Sequence, residues 1–128
     1  MSEKFEVEII SPDKTILKSD ASEVIIPSYE GQMGILKDHI PLITFLRPGI
    51  IFIKNHDEKK YYVEEGTVEF SNNNLLILTS TAKDVNSFDR SSIDNLLKIA
   101  EKEINDNNLK DKERYISSYK VDTLKEIN

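Results

Sequence analysis

Over the first eighty positions, apolar and polar residues follow a strand rhythm. Phe5, Val7 and Ile9 alternate with Glu6 and Glu8, the period-two pattern of a strand with one buried face. Ser11-Pro12-Asp13 reads as a turn and Thr15-Ile16-Leu17 as a short return strand. The run Ala21 to Pro27 carries the β-branched segment Val24-Ile25-Ile26, and Ile50 to Ile53 forms another strand. Lys54 to Lys60 reads as a polar turn. Tyr61-Tyr62-Val63 then leads to Gly66, a bulge or bend, before Val68 and Phe70 alternate again. Ser71 to Asn74 turns the chain into Leu75 to Thr79. Turns recur every eight to twelve residues with no helical periodicity, which predicts an all-β sandwich or barrel.

After Ala82 the rhythm changes. Ile93, Leu96, Leu97, Ala100 and Ile104 fall on one helical face. Asn86 or Ser87 stands where an N-cap belongs, with Asp89 in the first turn. Asn105-Asp106-Asn107-Asn108 breaks this helix. Leu109 opens a second, with Ile116, Tyr119, Thr123 and Ile127 along one stripe. Isolated helices of this length are marginal in water, so the pair is expected to fold as an antiparallel hairpin. The expected units are therefore a sandwich of about ten strands over residues 1–84 and a two-helix hairpin over 85–128.

The stretch from Tyr29 to Gly49 is the most heavily punctuated part of the chain. Gly31 and Gly34 suit backbone with positive φ, Pro41 suits a strand start or edge, and Pro48-Gly49 suits a turn. The apolar runs Met33 to Leu36 and Ile40 to Leu46 lie between these marks.

Composition narrows the function classes. The 128 residues are 38 % hydrophobic and 31 % charged, with net charge −6, which disfavours nucleic-acid binding. The acidity sits in residues 1–84, with nine basic and fourteen acidic groups; residues 85–128 are nearly balanced. There is no cysteine for disulfides or thiolate metal sites. Two histidines alone do not make a zinc site. No run is long and apolar enough to span a membrane, and the first residues lack the apolar segment of a signal peptide.

The sequence also lacks a nucleophile elbow and a phosphate-binding glycine loop. Asp38-His39 is an acid–base pair in spelling, but neighbours on an extended segment point apart. Gly31-Gln32-Met33-Gly34 matches the G-x-x-G of KH domains only in letters, since strands flank it. Tyr61 and Tyr62 read as strand residues with one buried face. In the second helix Lys110, Lys112, Arg114, Lys120 and Lys125 alternate with acids, as on a solvated or partner-docking face. An acidic adaptor taking a peptide along a sheet edge, or a hydrolase built on His39, are the rival readings.

The run Glu30-Gly31 to Gly49 spells E-G-x-x-G-I-L-x-x-H-x-P-L-I-T-x-L-x-P-G. It resembles the signature of the epsilon subunit of bacterial F-type ATP synthases, counterpart of the mitochondrial delta subunit. Glu65 to Phe70 and Leu76 to Ala82 extend the resemblance over the later strands. The resemblance implies a ten-stranded sandwich followed by a helical hairpin and no catalysis or cofactor of its own. The implied partners are the gamma subunit and the rotor ring of the membrane sector, at the cytoplasmic face of a bacterial membrane. It places Ser11, Glu30, Gly31 and Gln32 toward the ring and His39 and Thr44 toward gamma. It also makes the hairpin a device that swings from the sandwich to the alpha and beta subunits. There Lys110, Lys112, Arg114, Lys120 and Lys125 would restrain ATP hydrolysis.

Two departures stand out. Lys37-Asp38 replaces the proline-glycine that the family usually has before the histidine. Some members bind ATP through [IL]-D-x-x-R-A, whereas here Phe88-Asp89-Arg90-Ser91-Ser92-Ile93 keeps the acid and holds Ser92 in the arginine place. A neutral hydroxyl lacks the bidentate phosphate contact, so weak or absent ATP binding is expected. The scarcity of alanine in the first helix, with only Ala100, implies a looser hairpin.

Overall fold

The computed structural model describes residues 3–106 and 110–127, which form ten strands followed by two helices. The strands are β1 (Phe5–Ile10), β2 (Thr15–Ala21), β3 (Glu23–Ser28), β4 (Gly31–Leu36) and β5 (Leu42–Leu46). They continue with β6 (Gly49–Lys54), β7 (Glu58–Val63), β8 (Gly66–Ser71), β9 (Asn74–Leu78) and β10 (Lys83–Asp84). A single 3-10 turn, Val85–Ser87, precedes α1 (Arg90–Ile104) and α2 (Asp111–Ile127). The expected all-β unit with a helical hairpin is what forms. Asn107, Asn108 and Leu109, part of the expected break and the start of the second helix, lie outside the described residues.

The strand order is β10-β7-β6-β3-β5-β8-β9-β1-β2, with β4 paired to β3. The halves meet at one bridge, Ser28 with Leu46. Residues from both ends of this order, Leu17 of β2 and Tyr61 of β7, share one core with Val7, Ile26, Ile51 and Phe70. The sheet therefore folds over on itself into two layers around that core. Strands β1 and β9 run parallel; the other described pairings are antiparallel.

Some boundaries differ from the sequence reading. Strand β2 runs on through the polar Lys18-Ser19-Asp20, because pairing with the whole of β1 holds it. Strand β7 begins at Glu58, within the expected turn, because Glu58, Lys59 and Lys60 pair with β6 while staying exposed. Tyr61, Tyr62 and Val63 are all buried, not one face of them, since the helices cover the outer side. Gly66 opens β8 at a bend, after Glu64-Glu65 carries the chain to the other layer.

Helix α1 is capped by Asp89, not by Asn86 or Ser87. Those two belong to the 3-10 turn, where the Asn86 amide donates to the Asp84 carboxylate at 2.8 Å. Helix α2 also departs from the expected stripe. Ser117, Val121, Thr123 and Leu124 are its buried residues, while Ile116, Tyr119 and Ile127 are half-buried. It is covered on two sides, by α1 and by the sheet, so a single stripe does not describe it. Ala100, Val121 and Leu124 pack with Tyr62, Leu96, Leu97, Phe88 and Ile104, which fixes the hairpin against the outer face of β7.

Gly34 and Gly49 have no positive φ. Gly49 is required for space, because a Cβ there would stand 2.4 Å from Pro27 Cβ. Pro27 is itself placed where its missing N–H does least harm, since the ladder from β3 to β6 ends at Ile25 with Phe52. Gly49→Ala should therefore lower stability by roughly 1–3 kcal/mol, the usual range for overpacking. Urea unfolding checks this; an unchanged midpoint would show that the β3–β6 contact yields freely.

Candidate functional site

Among the described residues one outer face of the sheet is left open by the helices, with only Lys112 of α2 reaching its edge. Register aligns Ile43, Glu69, Leu76 and Glu8 in one row, and Phe45, Thr67, Leu78 and Ile10 in the next. Ile43 is 71 % exposed and Phe45 58 %, with Leu78 also exposed. Ile40, at 73 %, adds to the patch beside β5. A contiguous apolar patch rimmed by carboxylates marks an interaction surface more often than an accident of composition. Thr44, on the same strand, is 5 % exposed and points into the core, so the surface of β5 belongs to Ile43 and Phe45. The sequence hides this, because Leu42 to Leu46 is apolar on both faces. The clean alternation of Thr67, Val68, Glu69 and Phe70 is the signal that orients it.

At one end of this face lies His39. Its ring stands edge-on to Phe70 at 5.9 Å, with Nδ1 2.7 Å from the Ile40 carbonyl, so Nδ1 carries the proton. Asp38 turns away from it. The Asp38 amide donates to Asn73 Oδ1 at 2.7 Å, and Asn73 Nδ2 returns a bond to Asp38 Oδ1 at 3.0 Å. The segment is not extended at Asp38, whose φ is +65°. The sequence pair therefore makes no acid–base dyad.

The opposite end carries the tips. Ser11 holds the β1–β2 turn, its Oγ donating to the Lys14 carbonyl at 3.1 Å. Gly31, φ +120°, turns β3 into β4, with Glu30 and Gln32 exposed beside it and Ser28 Oγ donating to the Gly31 carbonyl at 2.6 Å. The Glu65 corner links the two tips, since it borders one cavity with Tyr29 and Phe45 and another with Ser11 and Leu78. Gly31-Gln32-Met33-Gly34 lies along β4, not in a loop between helices.

The cations of α2 are dispersed. Lys110, Lys112 and Lys125 are exposed, and Lys112 borders the Tyr29–Phe45 cavity. Arg114 is half-buried, its Nη2 donating to the Asp106 carbonyl at 3.1 Å. Lys120 is held between Glu64 at 3.6 Å and Glu103 at 3.9 Å. The sequence reading missed Arg47, whose guanidinium lies 4.0 Å over the Tyr119 ring while its Nε donates to the Ser28 carbonyl. At α1, the Asp89 carboxylate accepts from the Ser92 amide at 2.7 Å and from Ser91 Oγ at 2.9 Å. Among the described residues no group of His, Asp or Glu is arranged to hold a metal ion.

Residues 4–85 match the ATP synthase delta/epsilon chain, beta-sandwich domain. The chain belongs to the ATP synthase delta/epsilon family. An ATP synthase epsilon chain from Pelagibacter ubique is 47 % identical over the full length of both chains. One from Parvibaculum lavamentivorans is 31 % identical over 99 % of this chain and 97 % of its own. In fold, a chain of the Euglena gracilis mitochondrial ATP synthase structure superposes with TM-score 0.75, covering 95 % of this chain and 78 % of its own at 18 % identity. A chain of the Tetrahymena thermophila central stalk and c-ring structure gives 0.63 at 16 % identity, covering 98 % and 96 %.

Within this delta/epsilon fold the Asp38–Asn73 pair does the work of a glycine. Asp38 occupies the left-handed region, which costs a residue with a side chain, and Asn73 offsets that cost with two hydrogen bonds. Asn73→Gly, which keeps the positive φ of Asn73 itself, should destabilise the chain by about 1 kcal/mol, and Asp38→Gly added to it should recover part of the loss. Urea unfolding of the single and double variants reads this. A double variant no better than Asn73→Gly would show that the pair does not hold the turn.

The amide of Ser92, then the hydroxyls of Ser92 and Ser91, hold the Asp89 carboxyl below its ordinary 3.8. A depressed folded value adds stability above the unfolded value and loses it as pH falls through the folded one. Helix content followed by circular dichroism should therefore fall below pH 3.8 in the wild type, with a smaller share of that loss in Asp89→Asn. Identical acid profiles would remove Asp89 as the cause.

Proposed function

We propose that the chain is a non-catalytic rotor subunit in the central stalk of a bacterial F-type ATP synthase. Residues 1–84 couple the gamma subunit to the membrane rotor ring, and residues 85–128 restrain ATP hydrolysis. The observation that carries this is the uncovered face of β5, β8 and β9 in a chain of this family. Ile43, Phe45 and Leu78 supply apolar contact for gamma, with His39 at the margin of the face. The turns that carry Ser11 and Glu30, Gly31 and Gln32 lie at the other end, on either side of the Glu65 corner, and serve as the ring-facing tips. The rings and carboxylates suit binding better than catalysis, since Asp38 and His39 engage different partners. No described helix is long and apolar enough to cross a membrane. In this proposal gamma and the rotor ring hold the chain at the cytoplasmic face.

The hairpin rests against the sandwich in this structure. In that position Lys110, Lys112 and Lys125 face solvent whereas Lys120 is engaged, and the hairpin swings away from the sandwich to bring them to the alpha and beta subunits. One reconstitution tests both halves of the proposal, using the full chain, Phe45→Glu, and a chain ending at Asp84. Phe45→Glu should weaken gamma binding at least roughly tenfold, since it puts a charge where the proposed contact would bury an exposed aromatic ring. The shortened chain should keep gamma and raise ATP hydrolysis. Unchanged gamma affinity in Phe45→Glu would move the gamma surface elsewhere. An unchanged hydrolysis rate would leave the hairpin without an inhibitory role.

A further inference from the structure

Five side chains join the sandwich to both helices. Tyr62 Oη donates to Glu64 Oε2 at 2.8 Å, leaving the other carboxylate oxygen, Oε1, for Lys120 Nζ at 3.6 Å. The same ammonium stands 3.9 Å from Glu103 Oε2, which also accepts from Ser117 Oγ at 2.8 Å. Glu64 belongs to the sandwich, Glu103 to α1, and Lys120 and Ser117 to α2. The two carboxylates are thus not equivalent. If the hairpin lifts as a unit, Lys120 keeps Glu103 and loses only Glu64.

We propose that Lys120 is an electrostatic lock with two partners of different role: Glu64 is the docking partner and Glu103 the parking partner. Docking closes the contact with Glu64, and undocking leaves the ammonium paired inside the hairpin. Because Glu103 stays beside Lys120 before and after the movement, its attraction cancels, and only the Glu64 contact resists separation. Tyr62 prepares the lock by orienting the Glu64 carboxylate before the hairpin arrives. The Lys120 and Glu64 side chains are 23 % and 27 % exposed, so their attraction is screened less than that of a fully solvated pair. The proposal concerns docking alone and holds whether or not the hairpin inhibits hydrolysis.

The chain contains no cysteine, so one introduced thiol is a clean reporter. Thr123 is buried on α2 and lines a groove with Gly49, Ile50 and Tyr119 of the docked form. In full-length Thr123→Cys, the labelling rate of the thiol reads the undocked fraction however small it is. Adding Glu64→Gln, which keeps the acceptor for Tyr62, should speed labelling about threefold. Lys120→Met should do the same, and the two together should do no more. Glu103→Gln should leave the rate within error. Raising salt from about 0.1 to about 0.5 M should speed the parent and not the Glu64→Gln form. A second reporter, Val68→Cys in the sandwich core, opens only by global unfolding, so its labelling should stay far slower than that of Thr123→Cys in every variant. The proposal fails if Glu64→Gln leaves the Thr123→Cys rate unchanged. It fails equally if Glu103→Gln accelerates labelling as much as Glu64→Gln does, or if Val68→Cys labels as fast as Thr123→Cys.

Discussion

A tyrosine buried beneath a helical hairpin needs a place for its hydroxyl, and much of this structure follows from that need. Strand β7 is covered on both sides: Tyr61 faces the sandwich core and Tyr62 the hairpin. Burial pushes the Tyr62 hydroxyl far above the ordinary tyrosine value, and the nearby carboxylates of Glu64 and Glu103 add to the rise. Such a group stays protonated and must donate, because an unpaired hydroxyl under apolar helices costs on the order of 1–3 kcal/mol. Glu64 accepts. A carboxylate drawn so close to the helices then gains from a cation, and Lys120 supplies it. The ring meanwhile packs edge-on against Phe88 at 5.6 Å, with apolar side chains of both helices around it. Hydrophobic burial thus sets where the helices lie, and the polar chain that burial demands sets their register.

The two outer faces of the sheet answer the same problem differently. Beside β6 and β7 the chain covers its own apolar surface with α1 and α2, and Arg47 reaches across to stack on Tyr119. Over β5, β8 and β9 it leaves Ile43, Phe45 and Leu78 in water. Covering one face and exposing the other is costly unless something else lies on the exposed one. Membership of a family whose relatives are subunits of a large assembly gives that exposure a reason.

How much of this could be read beforehand depends on whether the information was local. Alternation at Phe5–Ile9 and at Val68–Phe70 is local, and those strands fell where expected. The helical stripe of α1 is local too, with Ile93 and Ala100 buried as the spacing requires. Strand β7 was cut short because Glu58, Lys59 and Lys60 read as turn, and only pairing with β6 overrides their polarity. The stripe of α2 was misjudged because two neighbours, not one, cover it. The resemblance turns Thr44 toward gamma, and an apolar run has no visible inside to contradict it; register with the buried Val68 turns Thr44 into the core. Lys120 shows the same limit. A basic residue in a mixed-charge helix reads as solvated until the fold brings Glu64 to it, 56 residues away in the chain.

The turns at the His39 end show how the chain divides a scarce resource. It has four glycines, yet five described residues take positive φ. Asp38, Asn72 and Asn73 have φ of 65°, 50° and 60°, all inside the left-handed region that short polar side chains tolerate best. Gly66 lies far outside it, at +156°, and a Cβ there would stand 2.7 Å from the Leu78 carbonyl oxygen. Where only φ is unusual, Asp and Asn suffice, and their side chains add hydrogen bonds a glycine could not make. Where the neighbouring backbone leaves no room, nothing but glycine fits. The Lys37-Asp38 departure from the family's usual proline-glycine is therefore a change of means at one corner. Asn73 on the neighbouring turn supplies what the substitution requires, and His39 keeps its place against Phe70.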